Sequence, residues 1–528
     1  MLRATAVVWM VLALAFSAAQ AAPAAPGVRG WQAALDELLA APQGADTERL
    51  IGEIVAARPA WNDVAARIEA AEFPAPATLG EPILSSVTVA DTLELPWVLV
   101  APPGYDAAVP TPLLVVLHGG VSRARPEEDP VAYVADDPFA ALAAREGWIA
   151  LFPFGQLGAT WWDRVGMANV RDLVRTVKRE CNVDDDRVWL GGFSDGASAA
   201  FLYGMVAPND YAAFVALNGH IGVGSLDGDL PTYAPNLANT PVYAVTTFDD
   251  QLYPSSLMRR TLDMARAAGG EVFYRELPGR HDFDYADEEL PRIAAFLMRH
   301  PRDPFPTRIV WESALPEFGA CRWLAVDRVS LSDPEPWHGD FNVALPDDRV
   351  SVGFFPDWSY EGDGVLVGGL PDGDTAARRV GLSAGDVIVA GGGAPIRTGD
   401  DLNDYKARLV RGGPISLTVL RGGARVALDG RVPEPGAYNC FKRELPSALA
   451  RASFSANRVD VEASRVGAFR VLVHPDMFRL DRNVVVSVNG NVVFDAPVVP
   501  DVGFLLRRFL EHRDRKLLYV AEIPITLE

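Results

Sequence analysis

A serine flanked by glycines, Gly192-x-Ser194-x-Gly196, sits between an apolar run, RVWLGGF (187–193), and an alanine-rich run, ASAAFLYGMV (197–206). A serine hydroxyl is a poor nucleophile near neutral pH until a base takes its proton. Small residues on either side let a strand turn sharply into a helix and lift the hydroxyl above the sheet edge. The chemistry such a bend serves is acyl transfer through a covalent acyl-serine, which needs an imidazole, a carboxylate to orient it, and amides to hold the oxyanion.

On a strand–turn–helix bend of this kind the acid and the histidine are expected later in the chain, in that order, each after a further strand. AVTTFDDQLYP (244–254) supplies the acid and ELPGRHDF (276–283) supplies His281. Of the other six histidines, His118 and His220 precede the acid, His300 closes a helical run, and His338, His474 and His512 fall in later segments. His281 is the expected base. Asp250 is preferred to Asp249 as the acid, with Asp282 and Asp284 behind them. LLVVLHGG (113–120) ends an apolar run in glycines, so the Gly119–Gly120 backbone can approach a reacting carbonyl, and the Asp195 amide is the second expected donor. Trp161 and Trp162 are candidates for an acyl-binding wall, with a core or rim position as the other reading. No cofactor or metal is required by this chemistry.

These residues need a scaffold. WQAALDELLAA, DTERLIGEIVAARP and WNDVAARIEAAEFP repeat apolar residues every three or four positions, which predicts a helical lead-in over 22–76, ended by the linker FPAPATLGEP. From 77 to 301 short Val/Leu/aromatic runs alternate with helical stretches such as MANVRDLVRTVKREC, the pattern of a mostly parallel sheet covered by helices. After 301 the chain is Val-rich, and RNVVVSVNGNVVFDAPV alternates about Asn489-Gly490, a two-residue hairpin signal. The fold class expected is α/β, followed by a β-rich region.

The chain has 528 residues, enough for several domains, and 49% of them are hydrophobic. A net charge of −21 argues against nucleic acid as a partner. Residues 1–21 read as a secretory signal: Arg3, the apolar AVVWMVLALAF, and Ala19-Gln20-Ala21 before the cut. The expected location is periplasmic or secreted, with no membrane span after signal removal. Three cysteines, Cys181, Cys321 and Cys440, exclude a disulfide framework and allow one pair. Cys181 is expected to be a buried packing residue.

VLHGG, NVDDDRVWLGGFSDGASAAF, DDQLYP and PGRHDF together resemble the α/β-hydrolase fold. They are most similar to secreted esterases around polyhydroxybutyrate depolymerases and feruloyl esterases, with prolyl-oligopeptidase-like peptidases nearby. The resemblance implies Ser194, Asp250 and His281 as a catalytic triad acting on an ester, or alternatively on a peptide bond. The acidic Asp195 departs from many relatives, and a negative group beside the serine is expected to disfavour anionic substrates.

Residues 345–432, through VSVGFFPD, GVLVGGLPDGDTAARRVGLSAGDVIVAGGG and PISLTVLRGG, resemble a bacterial PDZ domain. That likeness implies a groove for a peptide C-terminus, with backbone amides near Val352, Gly353 and Phe354 receiving its carboxylate. The alternatives are a module that only spaces or docks internally, and a chain that acts as a peptide-binding scaffold without catalysis. RIVWES and CRWLAVDRVSL (within 302–344) with NRVDVEAS and FRVLVHP (within 433–528) read as halves of one β-sandwich around the inserted module. Cys321 and Cys440 flank the insertion and are candidates for a pair.

Overall fold

The computed structural model describes residues 30–527, apart from 43, 44, 75, 77, 125, 126, 348, 349 and 358. The expected signal at 1–21 therefore lies outside the described residues.

Among the described residues, 30–59 belong to one compact unit. In it, α1 (Trp31–Ala40) buries Ala34, Leu35 and Leu38, and α2 (Glu48–Ala56) buries Leu50, Ile51 and Ile54. These are the apolar positions three and four apart in the sequence. The third lead-in helix, α3 (Trp61–Glu69), belongs to the second unit, which runs from Ala60 to the C-terminus.

The second unit is organised on an eight-stranded sheet. Its strands are β1 (Pro82–Val89), β2 (Leu93–Val100), β3 (Thr111–Leu117), β4 (Ile149–Pro153), β5 (Val183–Phe193), β6 (Ala213–Leu217), β7 (Val242–Thr247) and β8 (Val272–Leu277). The spatial order is β1-β2-β4-β3-β5-β6-β7-β8. β1 and β2 pair antiparallel, as do β2 and β4, and every pair from β4 onward is parallel. The helices are α4 (Pro130–Asp136), α5 (Pro138–Glu146), α6 (Arg164–Glu180), α7 (Asp195–Val206), the single turn α8 (Val223–Leu226), α9 (Ser255–Ala267) and α10 (Ala286–Arg299).

Both faces of the sheet are covered, as continuous apolar strands demand. In β3, Leu113, Val115 and Leu117 enter one core with α6 and α7, while Leu114 and Val116 enter the other with α4, α5 and α10. The result is a mixed α/β architecture consistent with an α/β-hydrolase fold. All the parallel strands present their carboxyl ends on one edge, where ligands gather in open α/β sheets.

Beyond α10 the chain builds two further sheets, each drawing on segments from both sides of the inserted module. β9 (Arg308–Ser313), β10 (Ala320–Cys321) and β11 (Leu324–Val329) precede the insertion. The ribbon strand β12 (Ala344–Asp347) leads into it, and β13 (Phe355–Pro356), β14 (Val365–Gly369), α11 (Ala376–Val380), β15 (Val387–Gly391), β16 (Ala394–Pro395), α12 (Gly399–Lys406), β17 (Pro414–Arg421) and β18 (Ala424–Arg431) make it up. β19 (Gly436–Asn439) leads out, and β20 (Ala448–Ser455), β21 (Arg458–Ser464), β22 (Val466–Val473), β23 (Val484–Val488), β24 (Asn491–Ala496), α13 (Val502–His512) and β25 (Ala521–Thr526) follow.

One of these sheets orders β10-β11-β22-β25 and the other β24-β23-β21-β20-β9. β23 and β24 make the hairpin, with Asn489 and Gly490 at φ +48° and +84°, the left-handed conformations a tight primed turn requires. The module has its own apolar core, every buried member of which lies between Val352 and Val432. It stands on a two-stranded stalk, β12 against β19. At the foot of the stalk Leu345, Cys440 and Phe441 are buried in the core of the eight-stranded domain.

A buried ionic cluster ties the C-terminal segment to the same domain: Asp514 lies 2.6 Å from Arg302 and 3.3 Å from Lys178, and Lys178 is 3.2 Å from Asp185.

The three cysteines correct one expectation. All are free and buried, so Cys321 and Cys440 do not pair. Cys440 is packed at the foot of the stalk among residues of the large domain, while Cys321 forms β10 against Leu324. Cys181 is a core residue of the large domain.

Candidate active site

At the end of β5 the backbone must reverse within one residue. Ser194 does so at φ +58°, ψ −116°, a positive-φ conformation that costs a residue with a Cβ on the order of 1–3 kcal/mol. The surroundings hold it there: Ser194 N–H donates to Leu217 O at 2.9 Å, and its carbonyl accepts from Ser198 N, the first turn of α7. The flanking glycines are required by contact. A Cβ at Gly192 or Gly196 would lie 2.1 or 1.8 Å from the Leu117 carbonyl oxygen of the neighbouring strand. So the helix can start directly over the sheet edge only if both positions lack side chains.

His281, after β8, and Asp250, after β7, reach the same edge. His281 Nδ1 is 2.8 Å from Asp250 Oδ2, and His281 Nε2 is 2.9 Å from Ser194 Oγ. A carboxylate only accepts, so Nδ1 carries the ring proton and Nε2 is left to accept from the serine hydroxyl. Asp250 is fully engaged: Oδ1 accepts from the Leu252 and Tyr253 amides, and Oδ2 also accepts from Asn218 Nδ2 at 2.8 Å. Burial works against its charge, but these donors and His281 outweigh it and hold the carboxyl below its usual range. Asp249 is exposed, and Asp282 Oδ1 accepts from the nearby Asp284 amide at 3.4 Å.

Asn218 is a supporting residue that sequence reasoning missed. At φ +52° it turns off β6, donates to Asp250 and Thr247 Oγ1, and accepts from the Tyr285 hydroxyl. Its one signal is a polar residue just past the carboxyl end of a parallel strand, in ALNG.

The HGG segment lies against the serine. A Cβ on Gly119 would come within 3.0 Å of Ser194 Cβ, and Gly120 takes φ +65°. Three side chains fix this loop. His118 Nε2 accepts from Gly155 N at 3.0 Å, so Nδ1 donates to Gly119 O at 2.8 Å. Burial pushes the pKa of this histidine down, which keeps the ring in the neutral form these two bonds need. The carbonyl of His118 accepts from Trp161 Nε1 at 2.9 Å. The third is Asp195, whose Oδ2 accepts from Val121 N at 2.8 Å. Burial raises the Asp195 pKa, opposed first by that amide.

A cavity of about 390 Å³ opens above the serine. Its floor holds Ser194, His281, Gly119 and Gly120; Tyr133, Phe154, Phe193 and Leu252 supply an apolar wall; Arg123 and Glu127 add opposite charges. Two expectations change. Trp161 and Trp162 are not in this lining; both are buried in the core, Trp161 beneath the His118 ring with centroids 4.9 Å apart. Asp195 is also outside the lining, its carboxylate taken by the Val121 amide, so it presents no anionic face to a substrate.

In the inserted module, Val352, Gly353 and Phe354 lie in the irregular segment just before β13. Val352 is buried and its carbonyl accepts from Ala377 N, and Gly353, at φ +81°, donates to Ser351 Oγ. A Cβ on Gly353 would lie 2.5 Å from Thr375 Cβ. Phe354 packs against the module core. No helix among the described residues is long and apolar enough to cross a membrane.

No family model matches the chain. Among curated proteins it is similar to a bifunctional acetylxylan esterase/xylanase, XynS20E, of Neocallimastix patriciarum, 31% identical over 112 residues, which is 21% of this chain and 16% of that protein. Acetylxylan esterase A of Aspergillus oryzae is 28% identical over 99 residues, 17% of this chain and 32% of that one. The chain thus spans about a sixth and a third of the length of these relatives. A solved ferulic acid esterase overlaps 42% of this chain and 99% of its own at 14% identity, with a TM-score of 0.35.

Proposed function

We propose that the protein is an exported serine hydrolase that cleaves carboxylic esters through an acyl-enzyme on Ser194. The observation that carries this reading is the continuous hydrogen-bonded line from Ser194 Oγ through His281 to Asp250, at 2.9 and 2.8 Å, on the floor of a cavity. The short matches to acetylxylan esterases favour an ester over an amide.

In this reaction Ser194 Oγ attacks the carbonyl carbon as its proton passes to His281 Nε2. Asp250 steadies the imidazolium that forms without taking the proton itself. The oxyanion is received by amides of the Gly119–Gly120 segment and of Asp195, the first residue of α7, where helix N–H groups have no intrahelical partner. His281 then returns the proton to the leaving alkoxide, and water repeats the sequence in reverse to release the acid.

We read the sheets around the insertion as one β-sandwich, and residues 345–432 as a PDZ-like module for a peptide C-terminus. The separate core of the module supports its folding as a unit. Export, expected from residues 1–21, belongs to the same reading and is checked by the N-terminal sequence of protein recovered outside the cytoplasm.

The deciding experiment is a panel of short-chain esters, feruloyl esters and peptide amides, run with fluorophosphonate labelling of the wild type and Ser194→Ala. Ester turnover and labelling, both lost in the variant, are the expected result. Faster amide than ester turnover would make it a peptidase, and a folded wild type that neither labels nor turns over would make it a scaffold.

A further inference from the structure

The cavity above Ser194 is apolar on one side, yet it contains a cation that the acyl-transfer steps do not use. Arg123 lies four residues beyond Gly119, on the loop that follows the HGG segment, and lines the same cavity as Ser194 and His281. A Cβ placed on Gly120 would be 3.1 Å from both Nε and Nη2 of Arg123, so the guanidinium rests directly against the backbone beside the nucleophile. Among the described residues that guanidinium makes no hydrogen bond or ion pair. Glu127 lines the cavity too, without pairing to it.

Most of the described arginines behave differently. Arg259, Arg302, Arg421 and Arg470, for example, each hold a carboxylate. Asp195, the acid nearest the nucleophile in sequence, is spent on the Val121 amide. An unpaired planar fork of donors beside a reacting centre is suited to a carboxylate.

We propose that Arg123 is a specificity-determining residue that receives a carboxylate carried by the substrate, making anionic esters the preferred class. This rests on the esterase reading above and names the substrate class for it. The spacing bounds the substrate. A Cβ on Gly119 would sit 3.5 Å from Ser194 Oγ, and Gly119 and Gly120 are adjacent. The guanidinium is therefore within roughly 13 Å of the nucleophile along this path. A carboxylate a few bonds from the scissile ester can span that distance. It can sit on the acyl side or on the alcohol side, and the assay separates the two.

The test uses the full-length protein and ester pairs that differ by a carboxylate: monomethyl adipate against methyl hexanoate for the acyl side, and 4-acetoxybenzoate against phenyl acetate for the alcohol side. In at least one pair the anionic ester is expected to have the higher kcat/KM. Arg123→Gln should lower that value about tenfold, mainly through KM, and leave the neutral partner within about twofold. Glu127→Gln should shift the same ratio the other way, and raising salt from about 0.05 to about 0.5 M should shrink it.

The inference is overturned if the wild type prefers the neutral ester in both pairs, or if Arg123→Gln slows both members of a pair equally, as loss of an oxyanion contact or of loop structure would. Absence of turnover on all four esters would overturn the esterase reading itself, and this inference with it.

Discussion

Replacing Asp195 by alanine tests whether the oxyanion loop is positioned from across the site. Oδ2 of Asp195 accepts from Val121 N at 2.8 Å, and Val121 is itself buried. A hydrogen bond to an ionised acceptor contributes about 1.5–3 kcal/mol. Alanine removes it and leaves the Val121 amide unpaired. The loop keeps its other anchors, the bonds of the His118 ring to Gly119 O and Gly155 N and that of Trp161 Nε1 to the His118 carbonyl. The amides of Gly119 and Gly120 are therefore displaced rather than lost, and the effect should fall short of the 10²–10³ that follows removal of an oxyanion donor. At about 1.36 kcal/mol per decade, we expect kcat on a neutral ester to drop roughly 10- to 30-fold, with KM within about threefold.

Asp195→Asn keeps an acceptor for Val121 and should recover most of the rate. Stability separates this role from a merely structural one. Burial raises the Asp195 pKa, so ionising it costs the folded state free energy that appears as pH rises from about 4. The asparagine variant should then unfold at the same or a higher urea concentration than wild type at pH 7, and the difference should vanish in acid. Initial rates together with urea midpoints give both readouts. An Asp195→Ala protein with wild-type kcat would refute the reasoning, and so would an Asp195→Asn protein as slow as the alanine variant.

Asp250→Asn is expected to leave the fold intact and lower kcat by about 10⁴, because the imidazole loses the acceptor that sets its tautomer. Gly196→Ala puts a Cβ 1.8 Å from the backbone oxygen of Leu117, which cannot step aside, so little or no folded protein that labels with fluorophosphonate should be recovered. Asp514→Asn strips Arg302 and Lys178 of a buried counter-ion and should cost about 3–5 kcal/mol in urea unfolding. Burial opposes the charge of Asp514, but Arg302 and Lys178 hold its pKa far below that of an unfolded aspartate. Its contribution is therefore present above about pH 4 and fades as the solution is acidified further. Thiol titration of denatured, unreduced protein should count three free cysteines.

Much of the site was legible along the chain because its parts sit where strands end. The apolar runs before Ser194, Asp250 and His281 are β5, β7 and β8, and parallel strands bring their carboxyl ends to one edge whatever the loops do. The Asn489-Gly490 turn was legible for the same local reason, since its backbone demand is met by those two residues themselves.

What a strand end cannot specify is which side chain of a loop turns inward. Asp249 and Asp250 are equivalent in sequence, and only Asn218 and the Leu252 and Tyr253 amides distinguish them. Two adjacent tryptophans after β4 suggest a substrate wall, but the fold buries both and lines the cavity with Tyr133, Phe154, Phe193 and Leu252 instead. Cys321 and Cys440 looked like neighbours because both flank the insertion, yet the stalk carries Cys440 into a different core.

The amino-acid sequence by itself determined the order of the chemical groups and the periodicity that makes strands and helices, since both are properties of neighbouring residues. Tertiary structure alone decided what Asp195 and Arg123 do. Asp195 finds its partner 74 positions away at Val121, and Arg123 faces the cavity without one among the described residues. Whether a charge is satisfied depends on which distant backbone packs against it, and that is settled only when the sheet has assembled.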